Sequence, residues 1–397
     1  MGSLNMTDSQ TILVAPCGFK GSLSAEQAAA AIAQGVTRAM PNARVLQVPI
    51  PDGGEGFAAT MAAVTGGQLE YVDVTGPLGN PVRAPMARLG GDPGTVIVEM
   101  AAAAGLSLVP HDKRNPLYTS TYGVGQMISA ALDWDAQKIL LGCGDSGTSD
   151  AGSGMLSALG VRLLDEEGDP VRPGASGLTD LRTIDSSGLD PRLQTVEIEA
   201  VCNITNVLCG DSGVARIFGP QKGASAADVE VIAEGLERFA ALAQIHVQQF
   251  DARAPHIASM PGGGASGGLG AALVAYLGAK LRSRFDVVFD YIPFDQMLEQ
   301  SDLVITAEGS IDFQTRRGKI PAEVARRAHA AGLAAVGLAG MLGDGYELSV
   351  GPDGLDAVFA VADRPMDLGT SIENGELLLT RSAEQVARLI ASVWARA

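Results

Sequence analysis

The chain of 397 residues has few aromatic residues, histidines and cysteines, and it carries more negative than positive charge. Its formal net charge is −17 and its sequence pI is about 4.6, so it would repel a nucleic-acid backbone or an anionic membrane surface. No apolar run reaches the roughly 20 residues that span a bilayer. We therefore expect neither a nucleic-acid partner nor a membrane association.

The scarcity of cysteine and histidine argues against two further kinds of site. The cysteines lack zinc-type spacing and lie beside apolar runs, which predicts free thiols in a reduced, cytoplasmic protein. They are Cys17, Cys143, Cys202 and Cys209. None of the four histidines lies in a Gly-rich turn, so we do not expect a histidine-based triad or zinc site.

Glycine, with 50 residues, and hydrophobic residues, at 46%, are abundant. The length favours two or three domains. Short apolar runs, each followed by a Gly-rich turn and an Ala-rich helical pattern, recur along the chain. They lie at Thr11–Ala15, Val45–Ile50, Val96–Met100, Lys138–Leu141, Val196–Cys202, Leu303–Thr306 and Ala334–Leu338. This pattern predicts an α/β fold with a largely parallel sheet, in which ligands bind at the carboxyl ends of the strands.

Two lysines lie in Gly-rich turns directly before predicted helix starts. Lys222 lies between glycines ahead of a helix start at Ser225, and Lys20 precedes a helix at which Ser24 and Gln27 match a capping box. The N-terminus of a helix attracts anions because its first N–H groups are unpaired and its dipole is positive there. The turns therefore predict contacts to a phosphate or a carboxylate, although a solvated surface lysine fits Lys20 equally well.

Pairs of acidic residues follow two other apolar runs. Asp52 and Glu55 lie on one tight turn, where they can hold a hydrated Mg²⁺ or bind substrate hydroxyls, or simply cap the next helix. Glu308 and Asp312 precede a basic segment that includes Lys319. This order suits metal–phosphate binding and equally an ordinary ion-pair cluster.

The turn Gly142–Gly152 contains a formal G-x-G-x-x-G, and Gly262–Gly267 matches the same pattern. A nicotinamide-dependent oxidoreductase therefore remains an alternative, although chance matches are expected in so glycine-rich a chain. The first turn is more polar than a pyrophosphate turn requires. Its polar residues include Asp145, Ser146, Thr148 and Asp150. We interpret it as a loop that meets a hydroxylated substrate or a metal, with Asp150 as base or ligand.

The motifs follow one another in an order that resembles the bacterial glycerate kinase family, which phosphorylates the 2-hydroxyl of D-glycerate. The resemblance runs nearly end to end. The motifs are Ala15–Ala25, Asp52–Gly56, Val98–Ala103, Thr121–Gly125, Ser146–Met155, Asn206–Gly210, Phe218–Ala224, Pro261–Leu269 and Glu308–Thr315. Nine motifs in order are far more specific than any one of them.

The resemblance implies two α/β domains with an active-site cleft between them. One is flavodoxin-like with a parallel sheet and comprises residues 11–80 and 290–397; the other is an inserted mixed α/β domain of residues 81–289. The resemblance also implies ATP with Mg²⁺ as phosphoryl donor and a small hydroxy acid as acceptor. It leaves the formation of a homo-oligomer open.

The resemblance also implies roles for particular residues. Lys20 and Lys222 would neutralise charge during catalysis, and Asp150 would take the hydroxyl proton. The expected substrate-binding residues are Asp52, Glu55, Ser146, Thr148 and Asn206. The expected nucleotide-binding residues are Gly263, Gly264, Glu308 and Asp312. The polar turn Gly142–Gly152 itself, rather than the resemblance, supplies the expected metal ligands Asp145 and Asp150.

Several differences from the family pattern fall inside these motifs. Cys17-Gly18 replaces Asp-Ser, Asn203 replaces Asp, Ser310 replaces Arg, and Asp145 replaces Gly. The chain thus loses two carboxylates and an arginine and gains one carboxylate. These differences favour, as an alternative, a protein of the same fold with another acceptor or reaction. A sensor of small acids without turnover is a further alternative.

Overall fold

The structure is a computed structural model that describes residues 10–396. The chain divides into two compact units. The first comprises the residues up to Asp52 together with those from Val288 onward, and the second is Gly53–Val287. The first boundary thus falls at 52/53, whereas residue 80 is the expected one. The reason is that the segment Gln68–Thr75 forms a strand in the sheet of the second unit.

The strands confirm the predicted apolar runs and add others. In chain order they are β1 Thr11–Val14, β2 Arg44–Gln47, β3 Gln68–Thr75, β4 Pro81–Leu89, β5 Asp92–Glu99, β6 Lys138–Gly142, β7 Arg162–Leu164, β8 Thr183–Asp185, β9 Glu197–Cys202, β10 Lys280–Ser283, β11 Leu303–Ile311, β12 Ala335–Leu342 and β13 Ala357–Ala360.

The helices alternate with these strands. They are α1 Ala25–Ala39, α2 Phe57–Thr65, α3 Met100–Ala104, α4 Tyr122–Asp133, α5 Ser153–Ala158, α6 Val214–Phe218, α7 Ala226–Gln248, α8 Ala265–Leu277, α9 Arg284–Tyr291, α10 Phe294–Glu299, α11 Ile320–Ala330, α12 Leu368–Glu373 and α13 Gly375–Trp394. Short 3-10 turns, such as Pro220–Lys222, fill several connections.

The first unit contains a parallel sheet in the order β2-β1-β11-β12-β13. Counted along this unit, that is the flavodoxin-like order 2-1-3-4-5, which reverses direction between β1 and β11. Buried residues such as Ile12, Ile305 and Leu338 form its core. Helices α1 and α13 pack closely, because a Cβ on Gly35 would lie 2.3 Å from the carbonyl oxygen of Thr380.

The second unit contains a mixed sheet in the order β10-β9-β6-β5-β4-β3. Strands β5, β6, β9 and β10 are parallel, and β4 and β3 continue the sheet as antiparallel strands. The chain is therefore α/β, with a parallel sheet in one unit and a mixed sheet in the other, as expected. The parallel strands bring the turns after β5, β6 and β9 to one edge of the sheet.

Local sequence signals explain where the long helices begin. The side chain of Ser24 accepts a hydrogen bond from the backbone N–H of Gln27, and the Gln27 side chain accepts one from the N–H of Ser24. Ser225 forms the same reciprocal box with Asp228 at the start of α7. Both predicted helix starts are thus confirmed, and a cap of this kind contributes about 1 kcal/mol.

The four cysteines are free thiols, as expected, and Cys17, Cys143 and Cys202 are buried. Burial raises the pKa of Cys202 and of Cys209 to about 12, so neither thiol forms a thiolate near neutral pH. Within residues 10–396, no helix is both long enough and apolar enough to cross a bilayer.

Candidate active site

In the second unit, the Gly-rich turn Gly53–Gly56 lies over the carboxyl ends of β6 and β9. A Cβ on Gly144 would lie 2.5 Å from the Cα of Gly54, and one on Gly142 would lie 2.8 Å from the carbonyl oxygen of Gly53. Only glycine leaves room for this approach of two backbones. The turn that carries Glu55 is thereby held against the turn that follows β6.

Two carboxylates from neighbouring strands hold this loop. The Asp145 carboxylate accepts a hydrogen bond from the backbone N–H of Glu55 at 3.0 Å. The Glu99 carboxylate, at the end of β5, accepts from the N–H of Gly56 at 3.0 Å and from that of Ala58 at 3.2 Å. These N–H groups open helix α2, where a negative charge is favourable.

Glu99 is the acidic residue that the sequence-based set of site residues lacks. Its side chain is 2% exposed. Burial, together with repulsion from Glu55 and Asp145, raises its pKa to about 7, and the two hydrogen bonds from the α2 N–H groups oppose the rise. A glutamate at the end of the apolar run Val96–Met100 is the sequence signal that could have identified it.

The expected substrate-binding carboxylates lie on the same loop. Asp52 is half-buried at the end of the first unit, and Glu55 is exposed. Asp145 is half-buried and adopts a left-handed backbone with φ 52°, a conformation that Asp tolerates better than most residues. The carboxylate that replaces the family's glycine therefore occupies a position whose backbone favours glycine.

Asp150, the expected base or metal ligand, is enclosed by hydrogen bonds from its own turn and from the start of α4, and its expected role stays a prediction. Its side chain is 0% exposed and accepts four hydrogen bonds. Two come from the N–H and hydroxyl of Thr121 at 2.8 and 2.9 Å, and two from the N–H groups of Gly152 and Gly154, each at 3.2 Å. Burial raises its pKa against these bonds. Asp150 thus joins the start of α5 to the start of α4.

Lys222 is likewise a buried structural group and not a solvent-facing cation. Its side chain is 3% exposed, and Nζ donates hydrogen bonds to the Ser146 hydroxyl at 2.8 Å and to the carbonyl oxygen of Thr148 at 2.5 Å. Burial lowers its pKa to about 7, and the Asp150 charge opposes that shift. The amine thus fixes the turn after β6, and the expected role of Lys222 in neutralising the charge of a substrate stays a prediction.

The remaining expected residues of the second unit lie around this turn. Ser146 is half-buried and Thr148 is fully buried. Asn206 is half-buried, and its backbone carbonyl oxygen accepts hydrogen bonds from the N–H groups of Gly262 and Gly264, at 2.9 and 3.1 Å. Gly263 is buried, and its N–H donates to Met260. The turn after β9 therefore meets the Gly-rich segment before α8 through backbone hydrogen bonds.

In the first unit, the turn after β1 carries Lys20. Phe19 and Leu23 exchange backbone hydrogen bonds at 2.8 and 3.0 Å, which leaves Lys20 exposed at the tip. The turn runs close to β11, since a Cβ on Gly309 would lie 3.7 Å from the backbone nitrogen of Lys20. Lys20 therefore lies at the point where strand order reverses, the usual place for a ligand in such a sheet.

The acidic pair of the first unit surrounds one lysine. The Lys319 ammonium lies 3.5 Å from the Glu308 carboxylate and 3.4 Å from that of Asp312. It also donates to the carbonyl oxygen of Ser310 at 3.2 Å. These side chains are about one-fifth exposed, with values of 18% for Glu308, 21% for Asp312 and 22% for Lys319. Lys319 thus supplies positive charge beside Ser310, where the family pattern has arginine.

Two other differences from the family pattern, Asn203 and Cys17, form hydrogen bonds within their own turns. The Asn203 side-chain oxygen accepts hydrogen bonds from the N–H and hydroxyl of Thr205, at 3.1 and 2.8 Å, and an aspartate would accept the same bonds. Cys17 is 6% exposed, and its thiol donates to the carbonyl oxygen of Gly18 at 3.4 Å.

The donor chemistry of the second unit suits a hard cation such as Mg²⁺. Glu55 and Asp145 both act electrostatically on Glu99, so three carboxylates share one region, which a divalent cation would neutralise. No group of three or more potential ligands stands out among the described residues. Proteins commonly hold Mg²⁺ with one or two carboxylates and complete its shell with substrate phosphates and water.

These features are those of an α/β protein with polar, Gly-rich turns at the carboxyl ends of its strands. The sequence matches the Glycerate kinase family over residues 12–391. The chain therefore belongs to the glycerate kinase family, and it is a kinase.

The relatives cover almost the whole chain. A protein of Halalkalibacterium halodurans named glycerate kinase is 43% identical over 97% of this chain and 98% of its own length. Glycerate 2-kinase of Escherichia coli is 41% identical over 96% of this chain and 98% of its own length. A crystal structure from Salmonella typhimurium LT2, described as glycerate kinase 2, superposes with a TM-score of 0.80 at 40% identity over 97% of this chain and 99% of that one. These matches do not favour a divergent reaction.

Proposed function

We propose that this protein transfers the terminal phosphoryl group of ATP to the 2-hydroxyl of D-glycerate, with Mg²⁺ as the metal. The observation that carries the proposal is the similarity to the E. coli glycerate 2-kinase, which extends over 96% of this chain and so includes both units. The turns at the carboxyl ends of the strands supply carboxylates and exposed cations of the kinds that phosphoryl transfer uses.

In this reaction the 2-hydroxyl oxygen forms a bond to the terminal phosphorus, and the bond from that phosphorus to the bridging oxygen of ADP breaks. The hydroxyl proton leaves to a carboxylate. Because the transition state of phosphoryl transfer is loose, positioning and charge neutralisation contribute more than the base does. Asp52 and Glu55 are the carboxylates that we assign to the acceptor and its proton, since Asp150 is enclosed by its own hydrogen bonds.

Three groups of residues would bind the phosphates and neutralise their negative charge, directly or through the metal. Lys20, exposed at the switch point of the first sheet, would contact the transferring phosphoryl group or the carboxylate of the acid. Glu308 and Asp312, with Lys319 between them, would bind the nucleotide. Asp145, with Glu55 as the neighbouring carboxylate, would hold Mg²⁺. When bound, this ion would neutralise charge on the phosphate oxygens.

The test is the release of ADP from Mg²⁺-ATP in the presence of D-glycerate and a panel of other small hydroxy acids. Phosphorus NMR of the product then reports which oxygen carries the new phosphate. We expect turnover of D-glycerate with the phosphate on the 2-oxygen, and loss of turnover when a chelator removes Mg²⁺. Turnover of another acid alone, or phosphate on the 3-oxygen, would overturn the proposal.

A variant pair links the reaction to the first unit. Lys20→Met should lower kcat/KM at least tenfold, because a charge-assisted contact contributes about 1.5–3 kcal/mol. Lys113→Met is the matched control, since Lys113 is also an exposed lysine on a short turn. Equal activity in both variants would remove Lys20 from the site.

A further inference from the structure

A group of buried hydroxyls in the second unit has no use within the fold. Within the part of the chain that the structure describes, the hydroxyl oxygens of Thr148, Ser149 and Ser266 accept and donate no hydrogen bond. Thr148 is 0% exposed and Ser149 is 1% exposed. Buried polar side chains are usually paired, and an unpaired one costs about 1–3 kcal/mol, so three together call for an explanation.

The three hydroxyls belong to two segments that touch. A Cβ on Gly267 would lie 2.2 Å from the carbonyl oxygen of Thr148 and 2.7 Å from the Cα of Ser149. The backbone N–H of Ala151 also donates to the carbonyl oxygen of Gly267 at 3.1 Å. The turn after β6 and the segment that opens α8, which carry the unpaired hydroxyls, are therefore in direct backbone contact.

Ser266 carries a second cost at the same place. Its backbone is left-handed, with φ 52° and ψ 46°, and Gly267 and Gly268 continue in that region with φ 70° and φ 98°. A serine in this conformation is strained by roughly 1 kcal/mol or more, whereas glycine is not. A residue that is unfavourable in both backbone and side chain is typical of a functional position.

The surroundings select the chemistry of a ligand. Lys222 reaches the same turn, with its Nζ 2.5 Å from the carbonyl oxygen of Thr148. Unpaired hydroxyl groups beside a lysine offer hydrogen-bond donors that have no acceptor. An oxyanion supplies acceptors and a negative charge, so it complements such a site. A carboxylate or a phosphoryl group has the acceptor oxygens that these hydroxyls lack, and the nearby Lys222 side chain would favour its negative charge.

We propose that Thr148, Ser149 and Ser266 form a subsite that binds the oxyanion of a substrate, either the carboxylate of the acid or a phosphoryl group of the nucleotide. This inference rests on the proposed function and deepens it. The hydroxyl oxygens are closed to solvent in the structure. The segment Ser266–Gly268 therefore has to move to admit the ligand, and two consecutive glycines give its backbone the freedom to do so.

Three variants test the subsite: Thr148→Val, Ser149→Ala and Ser266→Gly. Each removes one unpaired hydroxyl with little change in shape, and Ser266→Gly also relieves the left-handed backbone. Equilibrium binding of D-glycerate, ATP, ADP and inorganic phosphate is measured separately by calorimetry, so the readout does not depend on turnover. Thermal unfolding of each variant is measured alongside.

We expect each variant to unfold at the same or a higher temperature than the wild type. We also expect its affinity for one class of ligand to fall roughly 10- to 100-fold, since a hydrogen bond to a charged group contributes about 1.5–3 kcal/mol. Weaker binding of D-glycerate alone identifies the carboxylate as the guest. Weaker binding of nucleotide or phosphate identifies a phosphoryl group.

Thr380→Val is the matched control. Thr380 lies on α13 in the first unit, is 1% exposed, and its hydroxyl likewise has no partner among the residues described. This variant should bind every ligand as the wild type does. Wild-type affinity in all three subsite variants, or a wild-type protein that binds none of the four ligands, would overturn the subsite. Failure of the proposed function is distinct, because it appears as absent ADP release in the wild type.

Discussion

The carboxylate of Glu99 accepts a hydrogen bond from the backbone N–H of Gly56 at 3.0 Å, at the first turn of α2. A second bond, from the N–H of Ala58, uses the other carboxylate oxygen. The acidic turn that we assign to the substrate is therefore positioned by a buried acid on a different strand. The pKa of that acid, about 7, lies within the range of physiological pH.

We expect Glu99 to make stability depend on pH. Its pKa rises from 4.5 in the unfolded chain to about 7 in the fold, so the folded state binds the extra proton between these values. The contribution of Glu99 to the free energy of unfolding is thus complete below pH 4.5 and is lost as the pH rises through 7. This loss amounts to about 3 kcal/mol. Glu99→Gln should flatten this part of the curve, as measured by urea unfolding at several pH values.

Asp150 also has a raised pKa, so the wild-type curve alone does not isolate Glu99. The difference between the stability curves of wild type and Glu99→Gln isolates the contribution of Glu99. Glu199→Gln is a suitable control, because Glu199 is a buried glutamate of the same sheet that is paired with Lys138 and Arg282. Parallel curves for wild type and Glu99→Gln would show that Glu99 does not titrate in this range.

Asp150→Asn should impair folding more than catalysis. The amide would turn a donor toward the N–H groups of Thr121, Gly152 or Gly154, which costs about 3 kcal/mol in a buried network. A general base contributes 10²–10⁴-fold to the rate, whereas we expect kcat to stay within about tenfold well below the melting temperature. Steady-state kinetics and thermal unfolding distinguish the two roles. A kcat loss above a hundredfold in a fully folded variant would restore Asp150 as the base.

Gly144→Ala should displace the loop that carries Glu55. The new Cβ would lie 2.5 Å from the Cα of Gly54, a backbone atom that cannot yield as a flexible side chain does. We expect a loss of about 2 kcal/mol in stability and a rise in KM for the acid. Gly94→Ala is the control, because its Cβ would meet only side-chain atoms, of Gln137 at 3.4 Å and of Asp92 at 3.6 Å. Equal behaviour of the two variants would contradict the close approach.

Lys319→Met should weaken nucleotide binding. Without this ammonium, Glu308 and Asp312 lose the cation that lies within 3.5 Å of both carboxylates. We expect a roughly tenfold rise in KM for ATP and little change in that for D-glycerate. The pair of Arg388 and Glu384 on α13 offers the control Arg388→Met, since the Arg388 side chain is 58% exposed and an ion pair with so exposed a member contributes little. A change in the KM for D-glycerate alone would assign this cluster to binding of the acceptor.

Local patterns anticipated much of the fold. Apolar runs marked β1, β6 and β9, and reciprocal capping residues marked the starts of α1 and α7. Strands β3 and β4 were not anticipated, because their side chains are exposed at many positions and give no continuous apolar run. Short strands such as β7 are likewise too brief to be recognised from periodicity.

The sequence by itself determined the α/β class and the motifs that carry the resemblance to glycerate kinases, because these depend on residues adjacent in the chain. Only the tertiary structure decided which polar groups are buried and which hydrogen bonds they form. Asp150 is enclosed by Thr121, 29 positions away, and Lys222 by Ser146, 76 positions away. Burial and hydrogen bonding are properties of such distant pairs. A lysine or aspartate in a Gly-rich turn therefore looks catalytic until the fold shows where its side chain points.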